Sequence, residues 1–378
     1  MKTDKYILKN IRTPYYIVDE ALIERNLRVL RDIADRAGCK ILLAQKAFSM
    51  HALYPLIGRY LHGTAASGLH EAKLGRECMG GEVHTFSAAF DPHDFGEIAA
   101  VSDYVIFNSL NEWGRYGQTA LAAGCKRGLR VNPEHSTQDR AIYDPCAPGS
   151  RLGVRAADLP TELPEGITGL HFHTLCEQGA DALASTLAAF EERFGKYLRK
   201  LEWVNFGGGH HITKNGYDVE LLVELVRKFK EKYNVEVYLE PGEAVALDAG
   251  FLVTTVLDVV KNSIDIAILD ASAACHMPDV LEMPYRPPLC GSAGAGDLPH
   301  TYRLAGPTCL SGDIIGDYSF AAPLNAGDRL VFGDMAIYTM VKNNTFNGMN
   351  LPSILLLKTD GSIKTIRTFS YDDFKSRL

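Results

Sequence analysis

Lys46 follows the apolar residues of LLAQKAFS (residues 42–49), where a short buried strand should be ending. Lysine is rarely buried without a partner. A partly desolvated lysine amine, however, forms a Schiff base with an aldehyde. Three other features offer chemistry that complements it. Gly207, Gly208 and Gly209 can turn bare backbone amides toward a phosphate, although glycine triplets also serve tight turns. Glu240, in EPGE, can keep a pyridine nitrogen protonated, and His173, in HFH, can lie against a ring face.

Something must bring these residues together. Short β-rich runs recur at 41–46, 62–67, 82–87, 104–109, 127–132, 169–173, 203–209 and 237–242. Helix-like segments lie between them. In residues 20–37, Leu22, Ile23, Leu27, Leu30, Ile33 and Ala34 share one helical face, and Gly38 ends the helix. Residues 218–233 form a second amphipathic pattern, opened by Asp218 as a cap. Eight strands alternating with helices over residues 20–249 predict a (β/α)8 barrel, with a doubly wound sheet as the competing α/β arrangement. Beyond residue 250 the runs FLVTTVLDVV, IDIAILDASA, DRLVFGDMAIYTMV and SILLLKTDGSIKTI read as strands without long helices. Residues 1–19 and 250–378 are therefore expected to form a mainly β domain, with 284–299 as a loop. In barrels, chemistry sits at the C-terminal ends of the strands. Lys46, Asn108, Asn132, His173, the glycine triplet and Glu240 all fall there. A lysine, a phosphate cradle, a carboxylate and an imidazole at one barrel mouth describe a site for pyridoxal 5'-phosphate, whose pyridinium is an electron sink.

Composition sets the class. The chain has 378 residues, 46% hydrophobic and 22% charged, with a net charge of −7 dispersed along it. No basic tract suggests nucleic acid, and no run of 18 apolar residues suggests a membrane span. The opening MKTDKYILKN lacks the apolar core of a signal peptide. The eight cysteines are scattered without a C-x-x-C pair, as expected of reduced thiols in a cytosolic protein. Cys39, Cys78, Cys125 and Cys290 read as core or surface thiols.

The ordered set AQKAF, HFH, FGGGHH, EPGEA, GPTCLSGD and FGDMAIYTM…FNG resembles the fold-type III pyridoxal-phosphate decarboxylases. This alanine-racemase-like group contains ornithine, arginine and diaminopimelate decarboxylases. HMPDVLEMPYRPPL and EPGEA resemble the carboxynorspermidine/carboxyspermidine decarboxylases within it. The resemblance implies polyamine biosynthesis: carboxylated polyamine substrates and norspermidine or spermidine as products. It implies that Lys46 holds the cofactor covalently and later moves a proton, that His173 stacks on the ring and that Glu240 pairs with its nitrogen. Arg151 would lie near the same ring edge. Gly207–Gly209 and Tyr338 would hold the phosphate. Cys309 would protonate the product carbon, with Asp313 nearby for a substrate amine. In the family the Cys309 segment enters the neighbouring subunit's site, so the resemblance implies a homodimer.

The chain departs from the family at two places. EPGE replaces EPGR, and Glu243 cannot hold an anion as arginine does. Glu243 and Asp279 are instead expected to bind the amines of a long polyamine through charge-assisted bonds. HTLCEQ puts Cys176 where the family's loop has a serine, which puts a hydroxyl–phosphate bond there in doubt. Cys275 beside His276 is either a nucleophile pair or part of a pocket lining, and His210 and His211 either flank the phosphate or are exposed. Three alternatives remain. One is a decarboxylase acting on diaminopimelate, ornithine or arginine. Another is a metal-dependent barrel hydrolase built on His171 and His173 with His210 or His211 and a carboxylate. The third is a regulator without catalysis, against which Lys46 and Cys309 both speak. The expected reaction requires no metal.

Overall fold

The computed structural model describes residues 4–138 and 141–378. It divides into two units, one of residues Glu24–Val245 and one of residues 4–23 with Ala246–Leu378. The junctions thus fall at 23/24 and 245/246, against the expected 19/20 and 249/250. Residues 1–3 of the expected N-terminal segment lie outside the described residues.

The strands in chain order are β1 (Tyr15–Asp19), β2 (Lys40–Ala44), β3 (Gly63–Ala66), β4 (Glu82–Phe86), β5 (Tyr104–Phe107) and β6 (Lys126–Asn132). After these come the short β7 (Val154–Arg155), then β8 (Gly169–His171), β9 (Trp203–Asn205) and β10 (Glu236–Leu239). In the larger unit eight of them pair in parallel in the order β5-β4-β3-β2-β10-β9-β8-β6, and β5 closes on β6. This is the (β/α)8 barrel, with every anticipated strand present. Helices connect the strands. Asp218 caps the helix Val219–Tyr233 by accepting from Leu221 N–H at 2.9 Å. Gly38, at φ +64°, ends the helix Glu20–Ala37.

The barrel interior is filled by Leu42, Tyr104, Ile106, Trp203 and Tyr238. Trp203 fits only because its neighbours lack side chains. A Cβ on Gly128 or Gly169 would lie 2.3 or 2.0 Å from the indole. Below the strand ends, Tyr104 and Tyr238 share a hydroxyl–hydroxyl bond of 2.9 Å, and His84 stacks on Tyr104 at 3.8 Å.

The other unit holds β11 (Gly250–Asn262), β12 (Ile264–Leu269), the short β13 (Ala293–Gly294), β14 (His300–Ala305), β15 (Ile314–Phe320), β16 (Arg329–Phe332), β17 (Ser353–Leu357) and β18 (Ile363–Arg367). Together with β1 they form one sheet in the order β13-β15-β14-β12-β11-β1-β17-β18, with β16 on β11. TDGS is the turn of the antiparallel β17–β18 hairpin. Two expectations change here. DMAIYTMV does not continue β16, because Asp334 and Tyr338 take positive φ, which no strand accommodates. β14 and β15 occupy sequence that the strand reading had passed over.

Candidate active site

In a strand, residues two apart face the same way. Gly128, Gly169 and Trp203 form one interior row, and Arg130, His171 and Asn205 form the next, as register partners across β6, β8 and β9. Glu240 follows β10, two residues beyond Tyr238, the register partner of Asn205, and its carboxylate reaches this second row. Its Oε1 accepts from Asn205 Nδ2 at 2.7 Å, and its Oε2 lies 3.3 Å from His171 Nε2. Burial pushes the Glu240 carboxyl up, but His171, His84 and Asn205 together outweigh it and hold it below the usual carboxylate range. His171 is itself held below its ordinary value by burial, so it donates as a neutral imidazole.

Lys46 lies two residues beyond β2. It is accessible to solvent yet enclosed by protein atoms, as a side chain projecting into a recess must be. Desolvation, then Arg130, push its pKa down, against the opposing pull of Glu240, Glu243 and Cys176. Arg130 is buried, lies over the Phe86 ring at 4.6 Å and donates to the His173 carbonyl at 3.0 Å. His173 accepts from Gly208 N–H through Nδ1 at 3.0 Å, which leaves the ring proton on Nε2. Burial and the surrounding cations keep that ring neutral.

The glycine triplet is dictated first by packing. A Cβ would lie 2.4 Å from the Phe172 carbonyl at Gly207, 2.4 Å from the Glu240 carbonyl at Gly208 and 1.9 Å from the Leu175 carbonyl at Gly209. Gly207 N–H is engaged by Asn205 Oδ1 at 2.8 Å and Gly208 N–H by His173. Among the described residues, Gly209 N–H donates to no protein group, so it is the amide of the triplet left for an anion. Past the triplet, His210 is fully buried, and burial pushes its pKa down to about 4.

A second cluster stands beside this one. His211 Nε2 is 3.0 Å from Glu243 Oε2, and Glu177 completes a trio whose ligand atoms lie within 4.8 Å of one another. Burial and the neighbouring Glu243 push the Glu177 carboxyl up. Cys176 is pushed up to about 11 by burial and these carboxylates. Arg151 is exposed, and with Asn108 and Asn132 it lines a recess of about 920 Å³ that Lys46 does not line.

Cys309, Asp313, Asp279 and Tyr338 belong to the sheet unit. Cys309 is exposed, its N–H donating to Asn347 Oδ1 at 2.7 Å. Asp313 is buried, and its carboxylate accepts from Ser272 Oγ (2.8 and 3.0 Å), Thr308 Oγ1 (2.7 Å) and Ala274 N–H (3.1 Å). Those bonds make it the anchor of the Cys309 loop rather than a free amine receptor. Asp279 also has a structural duty, an ion pair with Lys342, which reaches Glu282 as well. The Cys275–His276 pair does not form a nucleophile: His276 Nδ1 accepts from Ser272 N–H at 3.1 Å and Nε2 faces the Asn350 carbonyl at 3.0 Å. Tyr338 sits at φ +51°.

Lys46, His173, Glu240 and Glu243 are thus brought to one barrel mouth. Sequence reading missed Arg130, Asn205 and Glu177. Strand parity held the signal for the first two, because each lies two positions after an interior residue. His171, His173 and Glu240 also bring ligand atoms within 4.8 Å of one another, the trio a metal hydrolase asks for. Of their nitrogens, His173 Nδ1 is engaged by Gly208 N–H and His171 Nε2 faces Glu240, while His171 Nδ1 has no partner among the described residues.

The donor set fits pyridoxal phosphate: an amine of lowered basicity, an ionised carboxylate, a neutral imidazole and a free glycine amide. The comparisons agree. The family described as pyridoxal-dependent decarboxylase, C-terminal sheet domain, matches residues 15–336. A carboxynorspermidine/carboxyspermidine decarboxylase of Campylobacter jejuni is 44% identical over 98% of this chain and 99% of its own. A carboxyaminopropylagmatine decarboxylase of Synechocystis is 41% identical over 98% and 96%. The crystal structure of carboxynorspermidine decarboxylase from Campylobacter jejuni complexed with norspermidine superposes with a TM-score of 0.92 at 43% identity, covering 97% of this chain and 100% of that one. A diaminopimelate decarboxylase of Helicobacter pylori, at 17% identity and a TM-score of 0.79, shares the fold. Among the described residues no helix is long and apolar enough to cross a membrane. With its barrel, its sheet unit and its lysine site, the chain belongs to the pyridoxal-dependent decarboxylases.

Proposed function

We propose that the chain binds pyridoxal 5'-phosphate at Lys46 and decarboxylates carboxynorspermidine and carboxyspermidine to norspermidine and spermidine. The observation that carries this reading is the pair of carboxylates, Glu177 and Glu243, at the same barrel mouth as an amine of lowered pKa. An anionic pair suits the ammonium groups of a long carboxylated polyamine. It does not suit the distal carboxylate of diaminopimelate.

When bound, the cofactor supplies an electron sink for the pair released by the departing carboxylate. The protein's part is positional and electrostatic. Lys46, with its ammonium disfavoured, is the amine that would hold the cofactor through its aldehyde. Glu240 would hold a proton on the ring nitrogen by its opposite charge. His173 would offer a neutral imidazole to the ring, and Gly209 N–H is left for the phosphate. Glu243, steadied by His211, binds a substrate ammonium. Cys309 is the thiol that returns a proton to the product carbon.

Cys309 is the reason to infer a two-fold homodimer. It lies on an exposed loop beside Leu310 and close to Phe346, both exposed apolar residues, as a segment that completes a neighbour's site requires.

The Synechocystis relative supports a second substrate, carboxyaminopropylagmatine, whose guanidinium suits the same carboxylates. Carbon dioxide release from carboxynorspermidine, carboxyspermidine, carboxyaminopropylagmatine, diaminopimelate, ornithine and arginine separates the readings. The first two should give the highest kcat/KM. A higher value for carboxyaminopropylagmatine transfers the assignment to that substrate, and a higher value for any of the amino acids removes the polyamine reading.

A further inference from the structure

Asn205 is fully buried and makes two side-chain bonds of opposite polarity. Its Oδ1 accepts Gly207 N–H at 2.8 Å, and its Nδ2 donates to Glu240 Oε1 at 2.7 Å. An amide offers an acceptor and a donor on one short planar group without any change of protonation. The turn on one side cannot relax, since Gly207 is at φ +71° and a Cβ there would strike the Phe172 carbonyl. Among the described residues the carboxylate on the other side has one further side-chain donor, His171 at 3.3 Å, whose Nδ1 is buried without a partner. The shorter, better-supported bond to Glu240 is the one from Asn205.

We propose that Asn205 is a positioning residue that ties the ionised carboxylate of Glu240 to the glycine turn, fixing the separation of the ring-nitrogen and phosphate ends of the cofactor site. The proposal rests on the reading of Lys46, Glu240 and Gly209 as that site. It assigns a single amide two tasks: keeping Glu240 charged and keeping the turn in register with it.

Asn205→Asp keeps the acceptor for Gly207 but sets a second carboxyl beside Glu240, so that the two share a proton and Glu240 no longer carries a full charge of its own. Asn205→Leu removes both bonds. Each variant is titrated with pyridoxal 5'-phosphate and with unphosphorylated pyridoxal, followed by visible absorbance, and the band is then titrated with pH. Asn205→Asp should shift the pH midpoint of the band by at least one unit while retaining the wild-type preference for the phosphate ester. Asn205→Leu should lose at least tenfold of that preference. A merely structural role would lower the unfolding midpoint and leave both readouts as in the wild type, and that result overturns the proposal.

A measurement on the unaltered protein stands independently of whether the variants fold. Gly207 amide hydrogen exchange should be at least fivefold slower with pyridoxal phosphate than with its analogue carrying carbon in place of the ring nitrogen. Equal protection overturns the coupling. A wild-type protein that develops no visible band with pyridoxal phosphate overturns the cofactor reading itself. A wild-type band with unaltered variants overturns this proposal alone.

Discussion

Lys46 gives up its proton more readily than an exposed lysine because burial and Arg130 both disfavour the ammonium. The neutral amine is the form that attacks an aldehyde, so bonding to pyridoxal phosphate should accelerate as pH rises through this depressed pKa. Arg130→Gln removes the neighbouring cation and should move that midpoint to higher pH in stopped-flow absorbance. Lys46→Ala should abolish both the visible band and the borohydride labelling of the chain. A labelled Lys46→Ala protein would place the bond elsewhere. Glu240→Gln keeps the shape but not the charge, so the ring nitrogen loses its counter-ion, and kcat should fall by about 10²-fold or more. The residues behind these predictions differed in how readily the sequence disclosed them. Lys46 and Glu240 stand at strand ends, where chemistry is expected, and Glu240 is followed by proline and glycine. Arg130 and Asn205 lie within short strand runs, and only their parity with Gly128 and Trp203 marks them as inward-facing. Asp279 and Asp313 looked equally suited to an amine, but their partners Lys342, Ser272 and Thr308 lie 63, 41 and 5 residues away, and spacing along the chain does not disclose such pairs.

At the scale of elements, the barrel holds the site because its rows of inward residues are packed in registry. Trp203 spans the row beneath Arg130, His171 and Asn205, and it occupies the volume that side chains at positions 128 and 169 would need. Gly169→Ala should therefore destabilise the protein by ~1–3 kcal/mol through overpacking. The effect on the site should exceed what the stability loss alone would cause, because His171 is two residues further along the same strand. Urea unfolding together with cofactor affinity checks this, and a variant that is destabilised but binds normally would show the rows to be independent. The barrel strands were legible because each is a compact apolar run bounded by turn residues, buried on both faces. β14 and β15 were not, because polar and half-buried residues interrupt them (HTYRLA and IIGDYSF) and the apolar signal is diluted. The DMAIYTMV run failed in the opposite sense. It has strand composition, but Asp334 and Tyr338 turn left-handed, and composition does not reveal a backbone that tertiary contacts impose.

At the scale of the whole molecule, the proposed sharing of Cys309 across a two-fold axis is tested by mixing two inactive proteins. If each site takes Lys46 from one copy and Cys309 from the other, random pairing of Lys46→Ala with Cys309→Ala chains gives half mixed dimers with one intact site each. About a quarter of the wild-type activity should then return, and none should return if each site is built from a single chain. The same molecule should also be unusually sensitive to mild acid. His62, His84, His171, His173, His210 and His276 are all held below their ordinary value by burial, to about 4 for His210 and His276. Unfolded histidines bind protons near pH 6.5, so below that pH the unfolded chain takes up protons that the folded one refuses. The resulting stability is complete above pH 6.5 and falls as pH drops toward the folded values, by up to ~1.4 kcal/mol per pH unit for each such histidine. The carboxylates act later: Glu82, paired with Lys40 and His84, is held at about 2, so its contribution fades only below the ordinary carboxylate range near 4.5. Acid unfolding should therefore begin two units above the point where carboxylate protonation alone would start it. Thermal midpoints at pH 7.5, 6.5, 5.5 and 4.5, at one protein concentration so that pairing of chains is held constant, should be level across the first two and fall across the last two. His276→Gln, which removes one proton acceptor from the unfolded chain, should flatten that fall. A midpoint that stays constant down to pH 4.5 would mean that these histidines accept protons in the folded state, and that the neutral imidazoles assigned to His171 and His173 are wrong.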